Sequence, residues 1–179
     1  MTLHAYGDRV FGKRRGAPGA DSGTNPYEGL RRQILELALT DAGITQQTNS
    51  DDEPWGFVME TGHPAGTATL VCLVDGTTSL YTSSGFGIIG GGSHAAVVNA
   101  NQALFKLLAQ HVSEFDPSND QRLPESLEVV MRIMTFRGPT LRSAPEAEFG
   151  YRRDAASPVF HAAHGVLTEL RKLHEAGTS

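Results

Sequence analysis

The residues of this chain best suited to chemistry lie between positions 83 and 94. Ser83 and Ser84 offer hydroxyls, the run Gly-Phe-Gly-Ile-Ile-Gly-Gly-Gly spans Gly85 to Gly92, and Ser93 and His94 open a segment with helical periodicity. Five of the eight residues in the run are glycine. Glycine costs conformational entropy on folding, so such a density points to positive φ values, or to a ligand or second chain packed against the main chain. Backbone N–H groups at the start of a helix, here those of Gly91, Gly92, Ser93 and His94, are free to hold an anion with the help of the macrodipole. A phosphate, nucleotide or carboxylate metabolite bound by Ser83, Ser84, Gly90, Gly91, Gly92, Ser93 and His94 is the ligand chemistry these residue types suit. His94 would then be placed to exchange a proton near neutral pH. The competing reading is structural: the glycines allow a tight crossover from sheet to helix, and Ser93 caps that helix.

Other constellations carry less. Gly85 to Gly90 matches the G-x-G-x-x-G string of dinucleotide-binding folds. Its context does not fit, because the preceding strand is the second arm of a hairpin and no strand follows the helix promptly. No Gly-Lys-Ser/Thr follows to make a phosphate loop. His161 and His164 share a helix face but lack further ligands at zinc spacing, so no metal and no cofactor is expected. Glu60 and His63 flank a turn and would form an exposed ion pair. Trp55, Phe57 and Met59 alternate along one strand face and read as core or as an interface.

A net charge of −5 argues against a nucleic-acid or anionic-membrane surface, both of which need a positive field. The lone cysteine, Cys72, sits in an apolar strand pattern, excludes an internal disulfide and suits a reducing, cytoplasmic setting. No apolar run reaches the roughly 18 residues of a membrane span. With 179 residues, 39% hydrophobic and 20% charged, there is material for one substantial core.

The elements that must position these residues follow from periodicity. Residues 1 to 24, rich in Gly, Ala and Pro, read as a mobile arm, 25 to 176 as a single domain, and 177 to 179 as a tail. Asn25-Pro26-Tyr27-Glu28 supplies a cap, a first-turn proline and a capping-box glutamate, which predicts a helix from Pro26 to about Ala42, stopped by Gly43. Strands are expected over 55–60, 67–74, 77–83, 127–137 and 140–143. Asp75-Gly76 predicts a two-residue type I′ hairpin, and Thr61 to Gly66 a looser turn. A second helix runs from Ser93 towards Glu114, and a third starts at Ser157-Pro158. The expected fold is therefore α+β, a single antiparallel sheet of about five strands with helices packed against it in the order α-ββ(β)-α-ββ(β)-α.

That order, together with the Asp75-Gly76 hairpin, resembles the roadblock/LC7 domains of the profilin-like superfold over roughly Pro26 to Glu175. GAF-like and PAS-like sensor domains share much of it. The roadblock resemblance implies a non-catalytic regulatory or scaffold protein that acts as a homodimer or with a protein partner, through a sheet edge or through the long helix and its Val97, Val98, Leu104, Phe105 and Leu108. The alternative is a small-ligand sensor or enzyme using the loop 85–94 for an anionic metabolite or nucleotide.

Overall fold

The computed structural model describes residues 26 to 177; the expected arm, the Asn25 cap and residues 178 and 179 lie outside the described residues. The fold is α+β, but its open antiparallel sheet has seven strands where about five were expected, and the elements follow in the order α-α-ββββ-α-βββ-α-α instead of the expected α-ββ(β)-α-ββ(β)-α. In chain order the elements are α1 (Pro26–Leu35), α2 (Leu39–Ala42), β1 (Pro54–His63), β2 (Gly66–Leu73), β3 (Thr78–Thr82), β4 (Gly87–Ile89), α3 (Ala95–His111), β5 (Asp116–Pro117), β6 (Glu128–Thr135), β7 (Pro139–Pro145), α4 (Glu146–Gly150) and α5 (Ser157–Gly177). The strand order is β4-β3-β2-β1-β6-β7-β5. The extra strands are the shortest, β4 and β5, and they form the two edges.

Helices cover both faces of the sheet. On one face Phe57, Met59, Leu70, Cys72, Leu80, Val129, Met131 and Ile133 pack under α3 and α5, with Phe149 of α4 stacked on Phe160 at 5.6 Å between ring centres. On the other, Val58, Val71, Leu73, Tyr81 and Met134 pack against Tyr27 and Ile34 of α1 and Ala42 of α2. Central β1 is therefore buried on both sides, from Pro54 through Gly62. Each large apolar side chain so buried contributes about 1.5–3 kcal/mol. Val71 and Leu73 are fully buried, as an internal position for the Asp75-Gly76 hairpin requires. Cys72 is buried, and burial pushes its thiol pKa up, so it is an inert core residue.

Four local expectations are corrected. The single helix over 26–42 is two, because Ala38 is extended at φ −80, ψ 147. Leu35, Leu37 and Leu39 all line one apolar hollow beside Trp55. Residues two apart in a helix point to different sides, so three alternate leucines reach one hollow only if the helix breaks. The expected stop holds: Gly43 is left-handed at φ 61, and its N–H donates to the Leu39 carbonyl at 3.1 Å.

The turn over 61–66 is tighter than expected, since β1 and β2 stay paired to His63↔Gly66 and only Pro64 and Ala65 turn. The Asp75-Gly76 hairpin has a three-residue loop. Leu73 N–H donates to the Thr77 carbonyl and Gly76 N–H to the Leu73 carbonyl, while only Gly76 has positive φ, at 94°. This is a turn over Val74 and Asp75 followed by a glycine bulge, and Asp75 Oδ1 accepts the Thr77 N–H at 2.9 Å. Trp55 does not share a face with Phe57 and Met59. A bulge between Pro54 and Gly56 turns it into the opposite core, where its indole N–H donates to the Thr135 carbonyl at 3.1 Å.

Candidate functional site

The structure divides the expected anion loop between the two ends of β3. Ser83 and Ser84 lie beyond Thr82, where Ser83 Oγ accepts the Thr67 N–H at 2.9 Å and Ser84 Oγ lies 2.9 Å from Thr82 Oγ1. Gly87 to Ile89 then run back along β3, pairing Ile89 with Ser79. Gly90, Ser93 and His94 thus sit about four strand residues away, roughly 13 Å. The hydroxyls of Ser83 and Ser84 do not converge with Ser93 and His94.

At the far end, the chain uses its own donors. Gly91 to Ser93 form a 3₁₀ turn in which the Ser93 and His94 N–H groups donate to the Gly90 and Gly91 carbonyls at 3.3 and 3.1 Å. The Ser93 hydroxyl donates to the Gly90 carbonyl at 3.1 Å. The N-cap of α3 is His94, without a side-chain cap bond, so the expected Ser93 cap is corrected. Gly90 needs its positive φ of 86°, and Gly92 packs flat against the backbone carbonyl of Gly76 at the β2–β3 turn. Beside it Asn101, buried in α3, donates to the Leu73 carbonyl at 3.0 Å and to Thr78 Oγ1 at 3.2 Å. The glycines let α3 dock closely on this hairpin.

Among the described residues, two surface hollows lie near these elements. One, of about 100 Å³, is lined by His63, Thr67, Ser83 and Ser84. The other, of about 220 Å³, is lined by Leu35, Leu37, Leu39, Trp55, Met134 and Phe136, with Arg137 at its rim bound to Asp52 at 2.6 Å. Both fall below the roughly 300–1,000 Å³ of pockets that enclose a small-molecule ligand.

The two sheet edges differ. β5 is two residues long, carries an acid and a proline, and so offers a poor ladder. β4 has neither. Thr82 N–H donates to the Phe86 carbonyl at 2.8 Å, which places position 86, and by antiparallel alternation 88, towards β3. The amides of Gly87 and Ile89 therefore point outward, and among the described residues no strand pairs with them. Ile89 is 55% and Phe86 42% exposed, the latter edge-on to His174 of α5 at 5.1 Å. The long helix offers no comparable surface. Val97, Leu104 and Leu108 are fully buried, Phe105 packs on the same core, and Val98 is half-buried.

The strongest polar feature corrects the expected exposed pair of Glu60 and His63. Glu60 is fully buried and does not pair with His63, which is exposed. Its carboxylate accepts from Arg31 at 2.7 and 3.0 Å and from Arg132 Nη1 at 2.6 Å, and Tyr27 and Thr69 hydroxyls, 3.0 Å apart, lie beside it. Burial of Tyr27, more than any partner, pushes its phenol pKa up. Glu60, two residues on from Val58, shares its face of β1, and Arg132 is paired with Val58 across the sheet, so both polar side chains enter the α1 face. A carboxylate in a buried strand demands a cationic partner, and that is the signal in the sequence.

Over this cluster runs the segment 118–127, and Glu128, at its end, is held down to about 2 chiefly by its hydrogen bond from Arg122, 2.6 Å away. Leu127 is left-handed at φ 65 with its side chain 61% exposed. Such a conformation costs a branched residue about 1–2 kcal/mol. Leu127→Gly is therefore expected to raise stability by up to about 1 kcal/mol, read as a higher urea midpoint at unchanged slope. A lower midpoint would show that the leucine makes a contact worth more than the strain.

His161 and His164 flank the Phe160 ring, at 5.5 and 4.3 Å between centres, and burial lowers the His164 pKa. Among the described residues no group of three or more His, Cys, Asp or Glu side chains is placed to hold a metal ion. No described helix is long and apolar enough to cross a membrane. Comparison with protein-family models, with curated proteins and with solved structures finds no match to this chain.

Proposed function

We propose that this protein is a non-catalytic scaffold or regulatory module that associates with a second copy of itself by strand addition at β4. One observation carries the reading: the outward amides of Gly87 and Ile89 stand on an uncharged, proline-free edge between two exposed apolar side chains, whereas the other edge is closed off by Asp116 and Pro117. A two-fold axis through Ile88 pairs Gly87 with Ile89 of the second copy and Ile89 with its Gly87. Both members of each pair have outward amides, so the register is self-consistent. Three residues make a short ladder, and a stable dimer needs at least about 1,000 Å² of buried surface. Phe86 and the last turns of α5 beside it are the natural extension of the contact.

The anion-binding alternative loses its convergent donors and would have to use one end of β3 at a time. Ile89→Lys places a charge in the seam and is expected to weaken self-association at least tenfold, equivalent to about 1.4 kcal/mol, in sedimentation equilibrium. Val74→Lys makes the same kind of change at the β2–β3 turn, where Val74 is 45% exposed, and should leave association unaltered. Equal association by wild type and Ile89→Lys would remove β4 from the account.

A further inference from the structure

The buried cluster around Glu60 holds one carboxylate against two guanidinium groups, which leaves one positive charge beneath the segment 118–127. Donors of both arginines also reach that segment. Arg31 Nη2 donates to the Gln121 carbonyl at 2.6 Å and to the Arg122 carbonyl at 3.1 Å. Arg132 Nε donates to the Asp120 carbonyl at 3.1 Å and its Nη2 to the Arg122 carbonyl at 2.8 Å. A single oxygen, that of Arg122, therefore sits where the two guanidinium forks meet. Two such forks meeting on one oxygen are the donor set that recognises a carboxylate or a phosphate, and charge-assisted bonds of this type are about twice as strong as neutral ones. A neutral carbonyl makes poor use of it.

The segment that supplies those carbonyls is held by polar contacts and buries little apolar surface. Residues 119 to 123 have exposed side chains, Leu123 among them at 48%. Its further ties are polar, including Arg122 to Glu128 and Leu127 N–H to the Gly62 carbonyl, and it ends on the strained Leu127. Segments with few buried apolar contacts open at the smallest free-energy cost. On the same face of the sheet the Tyr81 hydroxyl, 3% exposed as a residue and close enough to Glu60 and Arg31 to feel both charges, has no hydrogen-bond partner.

We propose that Arg31 and Arg132 form a latent site for a small oxyanion, a carboxylate or a phosphate, which the carbonyl of Arg122 occupies until the segment 118–123 lifts. An oxyanion would supply the negative charge that the carbonyl lacks, and its binding would be read outside as displacement of the segment. This site is distinct from the glycine-rich loop and independent of association at β4.

The test is hydrogen exchange of the backbone amides of residues 119 to 123, with sodium phosphate, sodium acetate or sodium chloride added at matched ionic strength in the millimolar range. Phosphate or acetate, but not chloride, is expected to speed exchange there by about tenfold while amides of β1 and β6 keep their protection. A response to one oxyanion alone assigns the class of ligand. Arg31→Gln, in a partly exposed position of α1, should abolish the response. Exchange in the wild type that is the same in all three salts, or a response that survives Arg31→Gln, overturns the proposal; the wild-type comparison stands even if the variant fails to fold.

Discussion

Glu60→Gln is expected to destabilise the fold by about 3–5 kcal/mol. The carboxylate is fully buried and is the shared acceptor for Arg31 and Arg132, with side-chain exposures of 14% and 4%. An amide of the same shape keeps the packing but removes the negative charge, leaving two guanidinium groups facing each other in a setting from which water is largely excluded. Breaking a buried pair by deleting one partner is costly because of the charge left behind, not because the pair itself was strongly favourable. Arg132→Gln removes one of the two cations and should cost less in the Glu60→Gln background than in the wild type. Urea unfolding of the four proteins gives the coupling directly. A loss under 1 kcal/mol for Glu60→Gln would mean that water or solvent ions reach the cluster.

The second large effect is at Gly92. A Cβ there meets the carbonyl oxygen and carbon of Gly76 and the Cα of Thr77, all main-chain atoms that cannot swing aside. Gly92→Ala must separate α3 from the β2–β3 hairpin and disturb the Asn101 bonds that tie them. It is expected to cost about 3 kcal/mol, near the top of the usual range for overpacking, and so lower Tm by roughly 6–12 °C. Gly91→Ala meets the end of the Leu170 side chain at 2.5 Å, which can rotate, and should cost less. Gly90→Ala has open space but a φ of 86°, so about 1 kcal/mol is expected. The order Gly92, Gly91, Gly90 separates close packing from conformational strain as the reason for the run. Differential scanning calorimetry showing three equal losses would contradict it.

Much of the architecture was legible because it rests on local chemistry. The left-handed stop at Gly43, the hairpin at Asp75-Gly76 and the start of α5 at Ser157-Pro158 are set by turn and cap residues a few positions long. What was not legible depends on partners distant in the chain. A β-bulge reverses Trp55, and alternation alone cannot show a single inserted residue. Gly87 to Ile89 is a strand only because β3 pairs with it; three residues, one of them glycine, carry no period of their own. Missing that strand joined Ser83 to Ser93 in one imagined loop. Glu60 was read as one end of an exposed pair with His63, because its true partners stand 29 residues before it and 72 after it, and no spacing rule reaches that far.

The amides of Gly87 and Ile89 give the most direct test of association at β4. Their hydrogen exchange, followed residue by residue by NMR across a dilution series, should quicken together as the protein is diluted, while the Ile88 amide, facing β3, stays protected throughout. Gly87 and Ile89 exchanging at unprotected rates at every concentration would contradict a β4-paired dimer.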